Sequence, residues 1–129
     1  MTTISVRTRA KDDMVDITGS VEKAITESGI TDGICVIFTP HTTAAVTINE
    51  NADPDVQTDM MKGMNGLDLE KIPFRHGEGN SPAHIKSSLI GCSETVIVHG
   101  GTAVLGTWQG IYLCEFDGPR TRKVHIQVR

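Results

Sequence analysis

SETVIVHGGTAVLGTWQGI, residues 93–111, is the stretch on which the reading of the fold turns. A β-branched run, Val96-Ile97-Val98, ends at the turn pair Gly100-Gly101. Gly106-Thr107-Trp108-Gln109 and a second apolar run, Ile111-Tyr112-Leu113, follow. Strand, glycine turn, strand is the simplest reading. The only tryptophan, Trp108, is expected to anchor the core, its ring buried and its N–H satisfied by one partner. Thr107 and Gln109 fall on the same face of an alternating strand, where they present a hydroxyl and an amide side by side.

Working outward, Thr3 to Arg9 alternates like an edge strand, and Met14, Val15 and Ile17 form a second short extended piece. Thr18 is placed as an N-cap for a helix over Ser20 to Glu27, with Gly29 past its end. Ile34 to Phe38 is almost wholly apolar, which predicts a strand covered on both faces, with Ala44 to Ile48 as its partner. Asp53-Pro54 starts a helix carrying Val56, Met60, Met61 and Met64 at helical intervals, a stripe expected to face core. Asn65 to Pro82 is an irregular loop rich in glycine, and a stretch of that length in a small domain points to function or disorder. A helix over Ala83 to Leu89 and a last strand over Lys123 to Val128 complete the chain. The order predicts a single α+β domain over residues 1–129, with a mixed, mainly antiparallel sheet and helices on one face. The other face then lacks cover.

A chain of 129 residues fits one domain. Its net charge of −4 argues against a nonspecific nucleic-acid binder, although Arg120, Arg122, Lys123 and Arg129 crowd the C-terminus. Cys35, Cys92 and Cys114 are widely spaced and lie in or beside apolar runs, so they read as buried thiols in a reducing compartment. No apolar run approaches membrane-spanning length, and no signal peptide is visible, so a soluble, cytoplasmic protein is expected.

Of five histidines, His99 and His125 lie in strands and read as structural. His41 follows a proline at a strand end, His76 lies in the glycine-rich loop, and His84 opens the next helix. Three neutral imidazoles are a possible ligand set for zinc, although their spacing matches no tight motif. Asn49-Glu50-Asn51-Ala52-Asp53 reads either as turn and cap chemistry or as a carboxylate site for magnesium beside a phosphate. Gly77-Glu78-Gly79-Asn80-Ser81 suits a backbone nest for an anion. Arg120 and Arg122 alternate beside Gly118-Pro119. They either grip a phosphate or offset Glu115 and Asp117 as surface pairs.

The segment from Ser93 through Gly101 and Gly106-Thr107-Trp108-Gln109 to Ile111 resembles the signature of the YjbQ-like family. The resemblance continues through PHTTAAVTINENADPDV (residues 40–56), RHGEGNSPAHIKSSLIG (75–91) and YLCEFDGPRTRKV (112–124). It implies a homotrimer and secondary thiamine-phosphate synthase activity. That reaction couples hydroxymethylpyrimidine diphosphate to thiazole phosphate with release of pyrophosphate. The candidate site then comprises His84, His41, Glu50 and Asn49 as catalytic groups, with Thr107, Gln109, Arg120, Arg122 and Ser87 for the phosphorylated substrate. A magnesium or zinc ion would sit on His41, His76 and His84. The alternative is a metal- or small-ligand-binding homotrimer of another primary role, without strong catalysis.

Overall fold

The computed structural model describes the whole chain, Met1–Arg129. The elements run β1 (Thr2–Arg7), β2 (Asp13–Asp16), α1 (Thr18–Ser28), β3 (Asp32–Phe38), β4 (Ala44–Glu50), α2 (Pro54–Asn65), α3 (Ser81–Ile90), β5 (Ser93–His99), β6 (Thr102–Ala103), β7 (Gln109–Glu115) and β8 (Thr121–Val128). A short 3-10 turn, Leu69–Lys71, interrupts the loop between α2 and α3. The α+β class is observed, with antiparallel pairing throughout. The strands form two sheets rather than one, ordered β1-β8-β3-β5-β6 and β2-β7-β4.

This division corrects the expected pairing around residues 93–111. Gly100 and Gly101 turn the chain with φ of 60° and 77°, values that favour glycine. The hairpin they make is only β5 with the two-residue β6. The chain then leaves the first sheet and enters the second as β7, between β2 and β4. For the same reason β4 pairs with β7 and not with β3.

The alternation rule decides which strands are buried on both faces. Along β3, Cys35 and Ile37 point inward, while Ile34 and Phe38 remain exposed, so the expectation of two covered faces fails there. It holds instead for β7, buried continuously from Gly110 to Glu115. Ile111 and Leu113 join the main core with Val21 and Ile25 of α1, Ile37 of β3, Val46 of β4, Val98 of β5 and Ile126 of β8. Cys114 faces the other way, where it joins Ala45, Ala83 and Phe116 under Met61, Met64 and Ile90. Of the expected stripe, Met61 and Met64 face this core, while Val56 and Met60 join neither cluster and no α2 residue is fully buried. The layers run five-stranded sheet, three-stranded sheet, then α2 and α3. The outer face of the five-stranded sheet is bare, with Ile34, Phe38 and Ile97 in solvent.

Helix ends follow local chemistry. Asp53 caps α2 by accepting the Asp55 N–H at 2.9 Å, with Pro54 at the first helical position. Thr18 does not cap α1. Its hydroxyl accepts the Ile111 N–H and donates to Asp16, tying the helix to β7. Trp108 is the largest departure: it sits in a turn and is 63% exposed rather than in the core. No helix is long and apolar enough to cross a membrane.

Because Leu113 is fully buried at the junction of the two sheets, Leu113→Ala should cost about 2–5 kcal/mol in denaturant unfolding. The exposed Leu67→Ala should change stability by no more than about 0.5 kcal/mol. Equal effects would contradict this assignment of the core.

Candidate functional site

Three segments meet at one end of both sheets: the β3–β4 connection (39–43), the β7–β8 connection (116–120), and the loop entering α3. At the bottom lies a buried ion pair. Glu115, fully buried at the end of β7, accepts from the Nε and Nη2 of Arg122, which is 2% exposed on β8. The same carboxylate accepts the Thr8 hydroxyl at 2.7 Å and the backbone N–H groups of Phe116 and Asp117. Arg122 also donates to the Thr43 hydroxyl at 2.8 Å. Gly118 leaves room for this arrangement, since a Cβ there would lie 2.7 Å from Glu115 Cγ and 2.3 Å from the Ala10 carbonyl oxygen. The Arg122–Glu115 pairing anticipated from sequence exists, but it is not a surface pair. The exposed one is Arg120–Asp117, at 3.0 Å.

Above this pair opens a cleft of about 420 Å³ with no hydrophobic side chain in its lining. Its walls are Pro40, His41, Thr42, Thr43, His76, Glu78, Asn80, His84, Asp117, Arg120 and Arg122. It shares Pro40, His41, Thr42 and His84 with an adjoining cavity of about 540 Å³, which adds Phe38, Thr39, Ser87, Ser88, Gly91 and Cys92. Sequence reasoning thus placed His41, His76, His84, Arg120, Arg122 and Ser87 at one locus, and the structure brings them together. The Ser87 hydroxyl donates to the Ala44 carbonyl at 2.6 Å, which fastens α3 to β4.

His41 is held in a defined tautomer. Its Nε2 accepts the backbone N–H of Lys123 at 2.9 Å, so in the neutral ring the proton lies on Nδ1. Burial holds the ring's pKa below the ordinary 6.5. Arg122, Lys123 and Arg120 lower it further, and only Glu115 acts in the opposite sense. His76 and His84 meet edge to face, with ring centroids 5.6 Å apart. The Asn80 side-chain N–H donates to Asp117 at 2.9 Å, while its side-chain oxygen is buried without a protein partner. No three of the histidine, cysteine, aspartate and glutamate side chains converge as a metal cage. The magnesium or zinc expected on His41, His76 and His84 therefore has no ligand set of three within this chain. The Gly77–Ser81 loop is closed by the Gly79 N–H on the His76 carbonyl, which takes one of the donors expected of a nest.

Asn49, Glu50, Thr107 and Gln109 are not at this cleft. Glu50 pairs with Gln109 at the far end of β4, roughly 20 Å from its start at Ala44 by strand rise. Thr107 lies in a turn rather than a strand, so it shares no strand face with Gln109, whose side-chain oxygen accepts the Gly106 N–H. Cys35 and Cys114 are buried, with thiol pKa values pushed up to about 11 and about 12, chiefly by burial. Cys92, expected to be buried with them, is exposed on the adjoining cavity. Sequence reasoning missed Cys92, Thr43 and Thr8. The one available signal was Thr42-Thr43, a polar pair between two apolar runs. His99 contacts Asp32 at an exposed strand position, while His125, half-buried, contacts Thr3 and stacks on Phe38; neither lines the cleft.

A family model described as UPF0047 protein YjbQ-like matches residues 2–129. YugU of Bacillus subtilis is 53% identical over 127 residues, covering 98% of this chain and 96% of YugU. A UPF0047 protein of Methanocaldococcus jannaschii is 51% identical over 123 residues, covering 95% of this chain and 89% of its own. A YjbQ/UPF0047-family structure from Clostridium acetobutylicum superposes with a TM-score of 0.97 at 50% identity, covering both chains completely. A YbjQ-like protein of unknown function from Sulfolobus solfataricus superposes at 0.94 with 34% identity, covering 98% of this chain and 94% of that one. None of these names carries a thiamine-phosphate synthase activity.

Removing either partner of the buried pair leaves an uncompensated charge. Glu115→Leu and Arg122→Met should each cost about 3–5 kcal/mol, and Glu115→Leu/Arg122→Met much less than the sum of the two. Additive losses in denaturant unfolding would contradict the pairing. His41 has a lowered pKa in the folded chain, so the unfolded state binds its proton first as pH falls. Its contribution to stability is complete above pH 6.5 and is lost as pH falls through the lower folded value. The His41 ring-proton shift in NMR should accordingly titrate with a midpoint below 6.5. A midpoint above 6.5 would contradict the positive surroundings described.

Proposed function

The chain belongs to the UPF0047 YjbQ-like family, and on that footing we propose that it binds a small phosphorylated molecule in the polar cleft around His41. The observation that carries this is the lining of the cleft, where the Arg120 and Arg122 guanidiniums and three imidazoles gather with no hydrophobic side chain; burial first, and then Arg122, Lys123 and Arg120 against Glu115, lowers the pKa of the His41 ring there. A neutral ring with its proton on Nδ1 is a donor, and Arg120 adds an exposed guanidinium at the same rim. Oxyanions are bound by such preorganised donors, which cost no rearrangement on binding. Phosphate in the polar cleft and a less charged portion in the adjoining cavity is the division of space that the linings support.

The working unit in this proposal is a homotrimer. The supporting feature is the bare apolar face of the five-stranded sheet, which a monomer leaves in water. Coupling of hydroxymethylpyrimidine diphosphate to thiazole phosphate is a narrower reading of the same cleft. It draws on the pairing of two adjoining cavities and on the resemblance described above. Release of pyrophosphate from that substrate pair, with and without added magnesium, tests it directly.

Calorimetric titration with inorganic pyrophosphate tests the broader proposal. Binding should be saturable, and Arg120→Ala or His84→Ala should weaken it about tenfold to a hundredfold, the worth of one charge-assisted hydrogen bond. Thermal unfolding of either variant should stay close to that of the parent. Unchanged affinity in both variants, or no binding by the parent, would remove the cleft as the ligand site.

A further inference from the structure

We propose that the cleft is completed by a second copy of this chain, whose Trp108 turn, with Glu50 and Asn49 beside it, closes the mouth at Phe38. This rests on the reading of the cleft as a ligand site and goes beyond it by assigning the missing wall.

Four observations converge. Phe38 belongs both to the cavity beside the cleft and to the bare sheet face, where it is 37% exposed; Ile34, Ile97 and Val104 extend the apolar surface at 48%, 63% and 54%. The backbone that carries Trp108 is fixed. Its carbonyl accepts the Asn51 N–H at 2.8 Å, and its turn is closed by reciprocal bonds between Gly106 and Gln109. A large aromatic exposed on a hydrogen-bonded turn has the form of an interface anchor. The charges are complementary as well. Asp16, Glu50, Asp53 and Asp55 surround the Trp108 end, whereas at the cleft the carboxylates of Asp117, paired with Arg120, and Glu78 are set against Arg120, Arg122 and the exposed Lys123 beside it.

The fourth observation is topological. The cleft and the Trp108 turn lie at opposite ends of β4 and β7, roughly 20 Å apart by strand rise, so one chain cannot bring them together. A twofold dimer matches a surface to itself. A closed ring instead joins two different surfaces head to tail, which sets every Trp108 turn against a neighbouring cleft.

Cross-linking reads this contact directly. Cys92 is the only exposed native thiol and lines the cavity beside Phe38, and position 107 is exposed on the Trp108 turn. Within one chain Cys92 lies just before β5 and position 107 just before β7, and a bridge inside one chain leaves the mass of a monomer, so only a bridge between copies registers as a larger species. Thr107→Cys treated with a bismaleimide bridged by two carbons should give covalent dimers and trimers on denaturing gels. Cys92→Ser should abolish them, and the exposed control Glu27→Cys should give none. Only monomers from Thr107→Cys, or cross-links that persist in Thr107→Cys/Cys92→Ser, would overturn the shared site. Pyrophosphate calorimetry on the parent protein keeps the two readings apart. Binding without cross-links leaves the ligand site standing and removes the partner's wall. Cross-links without binding support the partner contact and remove the ligand.

Discussion

The hydrogen-bonded ion pair of Glu115 and Arg122 is the constraint on which the site depends. Glu115 ends β7 in one sheet and Arg122 lies in β8 of the other, so the pair joins the two sheets at the end where the cleft opens. Two charges taken out of water are costly unless their hydrogen-bonding capacity is met. Thr8, the Phe116 and Asp117 N–H groups and Thr43 meet it. Those partners come from three segments, following β1, preceding β4 and following β7, which together with Arg122 fixes the ends of β1, β4, β7 and β8 relative to one another.

The consequences reach the cleft through one more layer. Arg122 is immobilised beneath His41, and Lys123, the next residue on β8, donates its N–H to the ring. Burial lowers the ring's pKa first, and this one strand supplies both the Arg122 charge that lowers it further and the bond that sets its tautomer. Loops carried on a rigid scaffold are where reactive side chains are commonly displayed. Here the scaffold extends into the loops themselves, because the β7–β8 connection is anchored by the Glu115 carboxylate.

Much of this was legible in the sequence where a local rule governs. Pro54 after Asp53 marked the start of α2, Gly29 the end of α1, and alternation in Lys123 to Val128 the last strand. His41, His76 and His84 were singled out by position, and they do lie together. Local rules failed where partners are chosen at long range. The apolar run Ile34–Phe38 and the run Ile111–Cys114 look alike, yet only the second is covered on both sides, because α2 and α3 pack over its sheet and nothing in this chain packs over the first. Trp108 was misplaced for the same reason, since an aromatic between glycines carries no mark of which side will be water. Glu115 was read as a surface partner of arginine because its burial depends on Thr8, 107 residues earlier in the chain.

A crystal soaked with pyrophosphate decides whether this cleft holds an oxyanion against His41 and Arg120. The expected result is an anion within hydrogen-bonding distance of His41 Nδ1 and the Arg120 guanidinium, with Glu115 and Arg122 still paired beneath it. Pyrophosphate bound elsewhere on the chain with this cleft empty, or His41 turned so that Nε2 leaves the Lys123 N–H, would contradict it.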